Sequence, residues 1–231
     1  LLSRRQRQMC IRDRHSAKHK IASNYGKSYY PSDYSPNAGW ADYYGNEDFF
    51  KAYPNDDRKE WNYMTEWKIK SGEIIPYTES ADKLPAISKY YDYDEGAPGK
   101  SAQSNGITCI YRYAEVLLMY AEASTRATNS VNQDALNAIQ EVQKRAGYQD
   151  RQIELTTTTE PTAFLAAVSN ERGWEFFAEM KRWFELVRLE KVKEVRAEEW
   201  DASTFNTNHH YYFPVPYQQV DLAGWTNNAG Y

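Results

Sequence analysis

The sequence predicts a mostly α-helical fold: amphipathic helical pairs, with long irregular Tyr- and Trp-rich loops and a few short strands. Two observations carry that prediction. From residue 107 onward, apolar residues recur at i, i+3 and i+4 over successive segments, the period of one helix face. Before it, Pro and Gly interrupt the chain among closely spaced aromatic residues, and no long periodic segment forms. A third observation, 41% hydrophobic and 26% charged residues over 231 positions, is compatible with a globular core.

Three segments follow from this reading. Residues 1–14, "LLSRRQRQMCIRDR", carry five Arg and one Asp, whereas the remainder has 23 basic against 31 acidic residues, a net −8. An acidic body argues against nucleic acid as a partner. The basic head has the composition of a nucleic-acid arm or a localisation signal, but the favoured reading is translated adapter or vector sequence, and it is set aside. On that reading residues 15–231 are a fragment whose true start is missing. No apolar run approaches the ~18 residues of a membrane span. Cys10 follows "RRQRQM" where a lipoprotein acceptor needs an apolar segment, and Cys109 alone builds no disulfide framework.

Residues 15–106 form the loop-rich aromatic region. In "NYGKSYYPSDYSPNAGWADYYG", Pro31, Pro36, Gly39 and Gly45 punctuate a row of Tyr, too aromatic for a flexible linker. "NEDFFKAY" (46–53) suits one short helix. In "RKEWNYMTEWKI", Trp61, Tyr63 and Thr65 alternate with polar neighbours, the pattern of a half-buried strand. "YYDYDEGAPGKSAQSNG" (90–106) is a long polar loop.

Residues 107–231 form the helical scaffold. Ala114, Leu117, Leu118 and Ala121 mark one helix face, with Glu122 and Arg126 as an i, i+4 pair. Ala135, Leu136, Ile139, Val142 and Ala146 mark the next, and Gly147 stands where a C-terminal cap belongs. The short "TNSVNQ" connector makes the two an antiparallel hairpin of about the tetratricopeptide period. A second pair begins near Pro161, with Thr159 or Thr162 as cap. It continues through "ERGWEFFAEMKRWFELVR" (171–188), which reads as one helix with a possible kink or break near Gly173. Pro214 and Pro216 hold the closing segment extended.

Glu171, Glu175 and Glu179 fall on one stripe of that helix. Their spacing is near that of paired glycosidase carboxylates, but side chains on one stripe point the same way rather than across a cleft. An ionic seam between helices, neutralised by Arg172, Arg182 and Arg188 and with Glu179 and Arg182 at i, i+3, is the stronger reading.

Several blocks carry a resemblance. "PNDDRKEW" (54–61), "RYAEVLLMYAEA" (112–123), "ALNAIQEVQKRAG" (135–147), "ERGWEFFAEMKRWFELVR" (171–188) and "YYFPVPYQQVD…NNAGY" (211–231) occur in this order. Together they resemble the C-terminal signature of SusD/RagB-like proteins, over most of residues 40–231. Gly173 replaces the family's usual second Arg, and "NNAGY" replaces Gln-Asn-Pro-Gly-Tyr. The resemblance implies a SusD-like fold of tetratricopeptide-like helical pairs, with residues 15–231 part of one larger domain. It also implies a non-enzymatic, surface-exposed outer-membrane lipoprotein. Such a protein captures oligosaccharide or another nutrient for a SusC-like TonB-dependent transporter, and meets the membrane only through an N-terminal lipid anchor absent from this chain. Ligand residues in such proteins lie in variable loops, so the motifs do not transfer them.

Candidates for ligand contact therefore come from chemistry. Rigid amphipathic rings near amides and carboxylates suit the CH faces and hydroxyls of sugars. Tyr30, Tyr34, Trp40 and Tyr44 form the denser group, with Trp40, Tyr30 and Tyr34 ranked first; Trp61 and Trp67, beside Tyr63, form the second. No cofactor or metal is expected. "DYDEG" (92–96) lacks EF-hand spacing, His15 and His19 lack the glutamate of a zinc helix, and adjacent His209 and His210 on extended backbone would point apart. Two other function classes remain: a helical-repeat adaptor that binds a protein partner, and a glycoside hydrolase using the glutamates or the Asp-rich loops.

Overall fold

The structure, a computed structural model, describes residues 29–35, 39–90, 109–195 and 206–231. The basic head, His15, His19, the acidic loop at 92–96 and the expected boundary near residue 106 lie outside the described residues. The chain divides into two compact units after Glu179, and each is described by itself.

The first unit joins the aromatic region to three long helices. Helix α1 (Glu47–Ala52) starts where the Asn46 side chain accepts from the Phe49 N–H. Helix α2 (Asp57–Asn62) starts where Asp56 accepts from the N–H groups of Arg58 and Lys59. That cap, with Asp57 and Glu60 in the first turn, draws Trp61 into a helix rather than the expected strand. Strand pairing begins only afterwards. β1 (Tyr63–Met64) pairs antiparallel with β4 (Ala86–Ile87), and β2 (Glu66–Lys68) with β3 (Ile74–Pro76). Alternation holds at β2, where buried Trp67 sits between exposed Glu66 and Lys68 and opposite Ile75.

Helices α3 (Tyr113–Thr128) and α4 (Gln133–Arg145) form the hairpin. Asn129 closes α3 in the left-handed region at φ 48°, and the Asn132 side chain caps α4 through the Ala135 N–H. Helix α5 (Pro161–Glu175) packs on α3 and α4. Its cap is Glu160, accepting from Thr162 and Ala163, and not Thr159 or Thr162. A carboxylate there satisfies two free N–H groups and faces the positive helix end. Leu118, Ala121, Ala135, Ile139, Phe164 and Val168 form the centre of the core. Small alanines on α3 and α4 let the two backbones approach. At the end of α4, Gly147 has φ +83°, and a Cβ there would lie 2.6 Å from Asp57 Oδ2. This is a position for glycine on both counts.

Residues 171–188 are not one helix. Helix α5 runs through Gly173 unbroken and stops at Glu175; Ala178 and Met180 then take φ +58°. The cause is capping from elsewhere in the chain. Arg112 donates to the Glu175 carbonyl (2.8 Å), Lys89 to those of Phe177 (3.0 Å) and Glu175 (3.4 Å), and the Tyr90 hydroxyl to that of Ala178 (2.9 Å). Carbonyls that a continuing helix would use are already taken.

The second unit holds α6 (Arg182–Arg188), α7 (Val192–Val195), α8 (Thr207–His210) and α9 (Tyr217–Ala223). Pro216 is extended and precedes α9, which ends at left-handed Gly224. Asn227 accepts from the Val215 N–H (2.8 Å), and Asn228 donates to the Phe213 carbonyl (2.6 Å), tying the last residues to the Pro-containing segment. His209 and His210 lie in a short helix rather than extended, with ring centroids 4.8 Å apart. No helix among the described residues is long and apolar enough to cross a membrane.

Candidate functional site

Glu171 and Glu175 lie on the last turns of α5 and Glu179 beyond its end, all within a seam of charges drawn from distant segments. The Asp56–Arg58 turn supplies the first cation. Arg58 is held by Asp56 (2.5 Å) and reaches Glu171 (2.6 Å) and Glu175 (2.9 Å). Arg112, at the start of α3, bonds Glu175 (2.6 Å) and Glu179 (2.8 Å). Arg145, at the end of α4, pairs with Glu175, and Lys89, after β4, with Glu179 (2.6 Å). Tyr148 and Gln143 donate to Glu171 (3.0 and 3.3 Å). Phe176 lies under the guanidiniums of both Arg112 and Arg172. Among the described residues the seam counts four carboxylates and four cations.

Expected partners of the glutamates are partly replaced. Arg182 bonds Glu185 (3.2 Å), and Arg172 lies 3.8 Å from Glu115. Glu179 lies beyond the end of α5, whereas Arg182 begins the next helix, so the two do not share one helix. The residues that do the neutralising, Arg58, Lys89, Arg112 and Arg145, went unassigned in the sequence. For Arg58 alone a signal existed, the Asp-x-Arg turn.

Burial and charge set the protonation of the seam. Burial alone would raise Glu175, but Arg145, Arg112 and Arg58 outweigh it and hold the carboxyl down at about 2. Burial pushes Glu171 above the usual carboxylate range despite Arg58. It also lowers Lys89 against the pull of Glu179. Glu175 is thus a fixed anion at any ordinary pH. Glu171 is fully buried. The arrangement suits holding segments together, and the two carboxylates do not face each other across open space.

The aromatic candidates separate into two groups. Tyr30, Tyr34 and Trp67 are buried together with Ala86, and the Trp67 indole donates to Asp33 (2.8 Å). Tyr34 also bridges to Ile69. All three side chains are buried, Tyr30 and Tyr34 among them, whereas their ranking presumed exposed rings. Trp40, Tyr44 and Trp61 are exposed, as is Tyr43. Trp61 stands beside a cleft of about 410 Å³, lined also by Tyr90, by the cations Arg58, Lys89, Arg112 and Arg145, and by the carboxylates Asp57, Glu175 and Glu179. No sequence pattern marked that cleft, because its walls come from five separated segments. Among the described residues, no cluster of three or more His, Cys, Asp or Glu is placed to hold a metal.

A sequence model of the SusD family matches residues 20–231. The chain belongs to the SusD family. Among relatives, SusD-like protein P2 of Formosa agariphila is 28% identical over 200 residues, 78% of this chain and 39% of its own length. Among solved structures, a SusD superfamily protein from Parabacteroides distasonis superposes with a TM-score of 0.70 at 23% identity, covering 89% of this chain and 46% of that one. A laminarin-binding SusD-like protein superposes with a TM-score of 0.62 at 20% identity, covering 87% and 42%. The chain thus spans less than half of the length of each. In this SusD family chain the Asp-x-Arg turn and the helix-end glutamates, which lie far apart in sequence, meet in one seam.

Proposed function

We propose that this SusD family chain belongs to a non-catalytic cell-surface subunit that captures an oligosaccharide for a SusC-like TonB-dependent transporter in the outer membrane. Attachment to the membrane is through a lipid anchor. The observation that carries the reading is a division of labour: Trp40, Tyr43 and Tyr44 stand exposed within five residues, whereas the paired glutamates are spent in buried ion pairs. Exposed rigid rings offer stacking faces for sugar rings at small entropic cost. The fold shared with a laminarin-binding protein supports a glycan as ligand. Trp40 and Tyr44 are the proposed contacts.

Titration calorimetry with laminari-oligosaccharides and a panel of other neutral glycans tests this. Saturable binding, weakened about tenfold in Trp40→Ala and Tyr44→Ala, with intact sugar recovered afterwards, is the expected result. Shortened sugar would overturn the non-catalytic assignment. A helical adaptor is the second reading, favoured by one feature: Tyr113, Val116, Met119 and Tyr120 leave an exposed apolar row on α3. Folded protein that binds no glycan on the panel would favour it.

A further inference from the structure

The cleft beside Trp61 has a polarity that its overall charge hides. The seam that lines it balances four carboxylates with four cations, and Glu175 and Glu179 stand on the wall beside Arg112, Arg145 and Lys89, but the two signs are not equally accessible. The carboxylates lie deep: the Glu175 side chain is 1% exposed and that of Glu179 8%. The cations that cover them lie nearer the solvent, with side-chain exposures of 47% for Arg145, 23% for Arg112 and 22% for Lys89. A neutral cluster layered in this way presents positive charge to whatever enters the cleft. Asp57 is the exposed carboxylate of the wall, and it is paired outward with Arg151 (2.8 Å).

Donor capacity points the same way. Arg112 spends its donors on Glu175 and Glu179, and Lys89 bonds Glu179 and two carbonyls. Arg145 commits Nη2 to Glu175, and among the described residues its other guanidinium donors bond no acceptor. A planar guanidinium with spare N–H groups matches a carboxylate or sulfate oxygen pair. Trp61, exposed on α2 at the same cleft, offers an indole face. The volume of about 410 Å³ falls within the range of small-ligand sites.

We infer that this cleft binds an anionic saccharide unit, with the sugar ring against Trp61 and its carboxylate or sulfate toward Arg145, Arg112 and Lys89. The inference rests on the proposed glycan-capture role and adds a ligand class and a second subsite, apart from Trp40 and Tyr44. The test is calorimetry of the whole chain with trigalacturonic acid, a sulfated trisaccharide and neutral laminaritriose. Each is repeated at low and raised salt and with Trp61→Ala. Because Trp61 is exposed, that variant should keep the wild-type circular dichroism and melting profile. Arg145→Gln, checked in the same way, removes the spare donors, and Arg145→Lys restores the charge.

The expected result is binding of one or both anionic sugars about tenfold tighter than the neutral one, weakened about tenfold by Trp61→Ala and by raised salt. Arg145→Lys should bind better than Arg145→Gln. Relative affinity for the uronate and the sulfate then identifies the anion. Equal affinity for neutral and anionic sugars, or anionic binding unchanged by Trp61→Ala, would overturn the inference. If neutral binding is at the same time lost in Trp40→Ala, glycan capture stands without this cleft. Failure of all three sugars to bind would overturn the cleft, and failure of the whole neutral panel as well would remove the capture role.

Discussion

The charged seam and the aromatic region of the first unit bury polar and ring-bearing side chains by opposite strategies. The seam buries carboxylates and gives each several donors; Glu175 alone meets three arginines. The aromatic region buries rings in many moderate contacts. Phe50 and Tyr63 meet edge-on at 4.8 Å, whereas Tyr63 and Phe177 at 4.6 Å and Tyr30 and Tyr34 at 5.4 Å are tilted. A ring lost from such a network leaves a cavity that its neighbours partly fill. A carboxylate lost from the seam leaves unpaired buried charge, which no relaxation of packing repairs. The seam is therefore brittle, and the aromatic region should yield by degrees.

The sharpest way to break that contrast is Glu175→Gln. It should destabilise by about 3–5 kcal/mol in urea unfolding, because three guanidiniums lose their shared anion. Trp67→Ala should cost about 3 kcal/mol, since a large buried side chain is lost from a region able to relax. A loss in Trp67→Ala exceeding that of Glu175→Gln would reverse the contrast. Acid offers a titration of the same idea. Glu175 is held near 2 in the fold against an ordinary value of 4.5. Its contribution is thus complete above about pH 4.5 and disappears as pH falls toward 2, amounting to about 3 kcal/mol. Glu171 has the opposite sign. Raised by burial, its charged form is a cost at neutral pH that acid removes. Urea midpoints between pH 5 and 2 should fall steeply in the parent chain and more shallowly in Glu175→Gln, whereas Glu171→Gln should keep the steep fall.

Smaller effects sharpen the comparison. Gly147→Ala should cost about 1–2 kcal/mol, from a left-handed backbone and the crowding of Asp57. Trp40→Ala and Trp61→Ala, by contrast, should change stability by less than about 0.5 kcal/mol, as exposed side chains do. Melting profiles of the three decide this. A marked loss of stability in either Trp variant would make that ring part of the scaffold.

Legibility in the sequence followed the same division. Ala135, Leu136, Ile139, Val142 and Ala146 repeat at helical spacing, and all five are buried. Local periodicity reports a helix face because the helix itself sets the geometry. The stop of α5 at Glu175 was hidden, since Lys89, Tyr90 and Arg112 impose it from segments remote in the chain. Trp67 and Trp61 are alike in residue type and flanked by similar polar neighbours. Only tertiary pairing, such as the Asp33 acceptor of Trp67, decides which of them is covered. The partners of the glutamates were obscured for the same reason, and neither Lys89 nor Arg145 carries any local mark of its role.

One consequence of the seam concerns the order of folding. Arg58 is separated from Glu171 by 113 residues and from Glu175 by 117; Lys89 and Arg112 are separated from Glu179 by 90 and 67. None of these charges can leave water without its partner unless it bears the full desolvation penalty. The hairpin α3–α4 can form early from local contacts, yet Glu171 and Glu175 at the end of α5 cannot be buried until Arg58 and Arg112 reach them. Partly assembled states are thereby penalised, and the first unit should fold late, slowly and in a single concerted step.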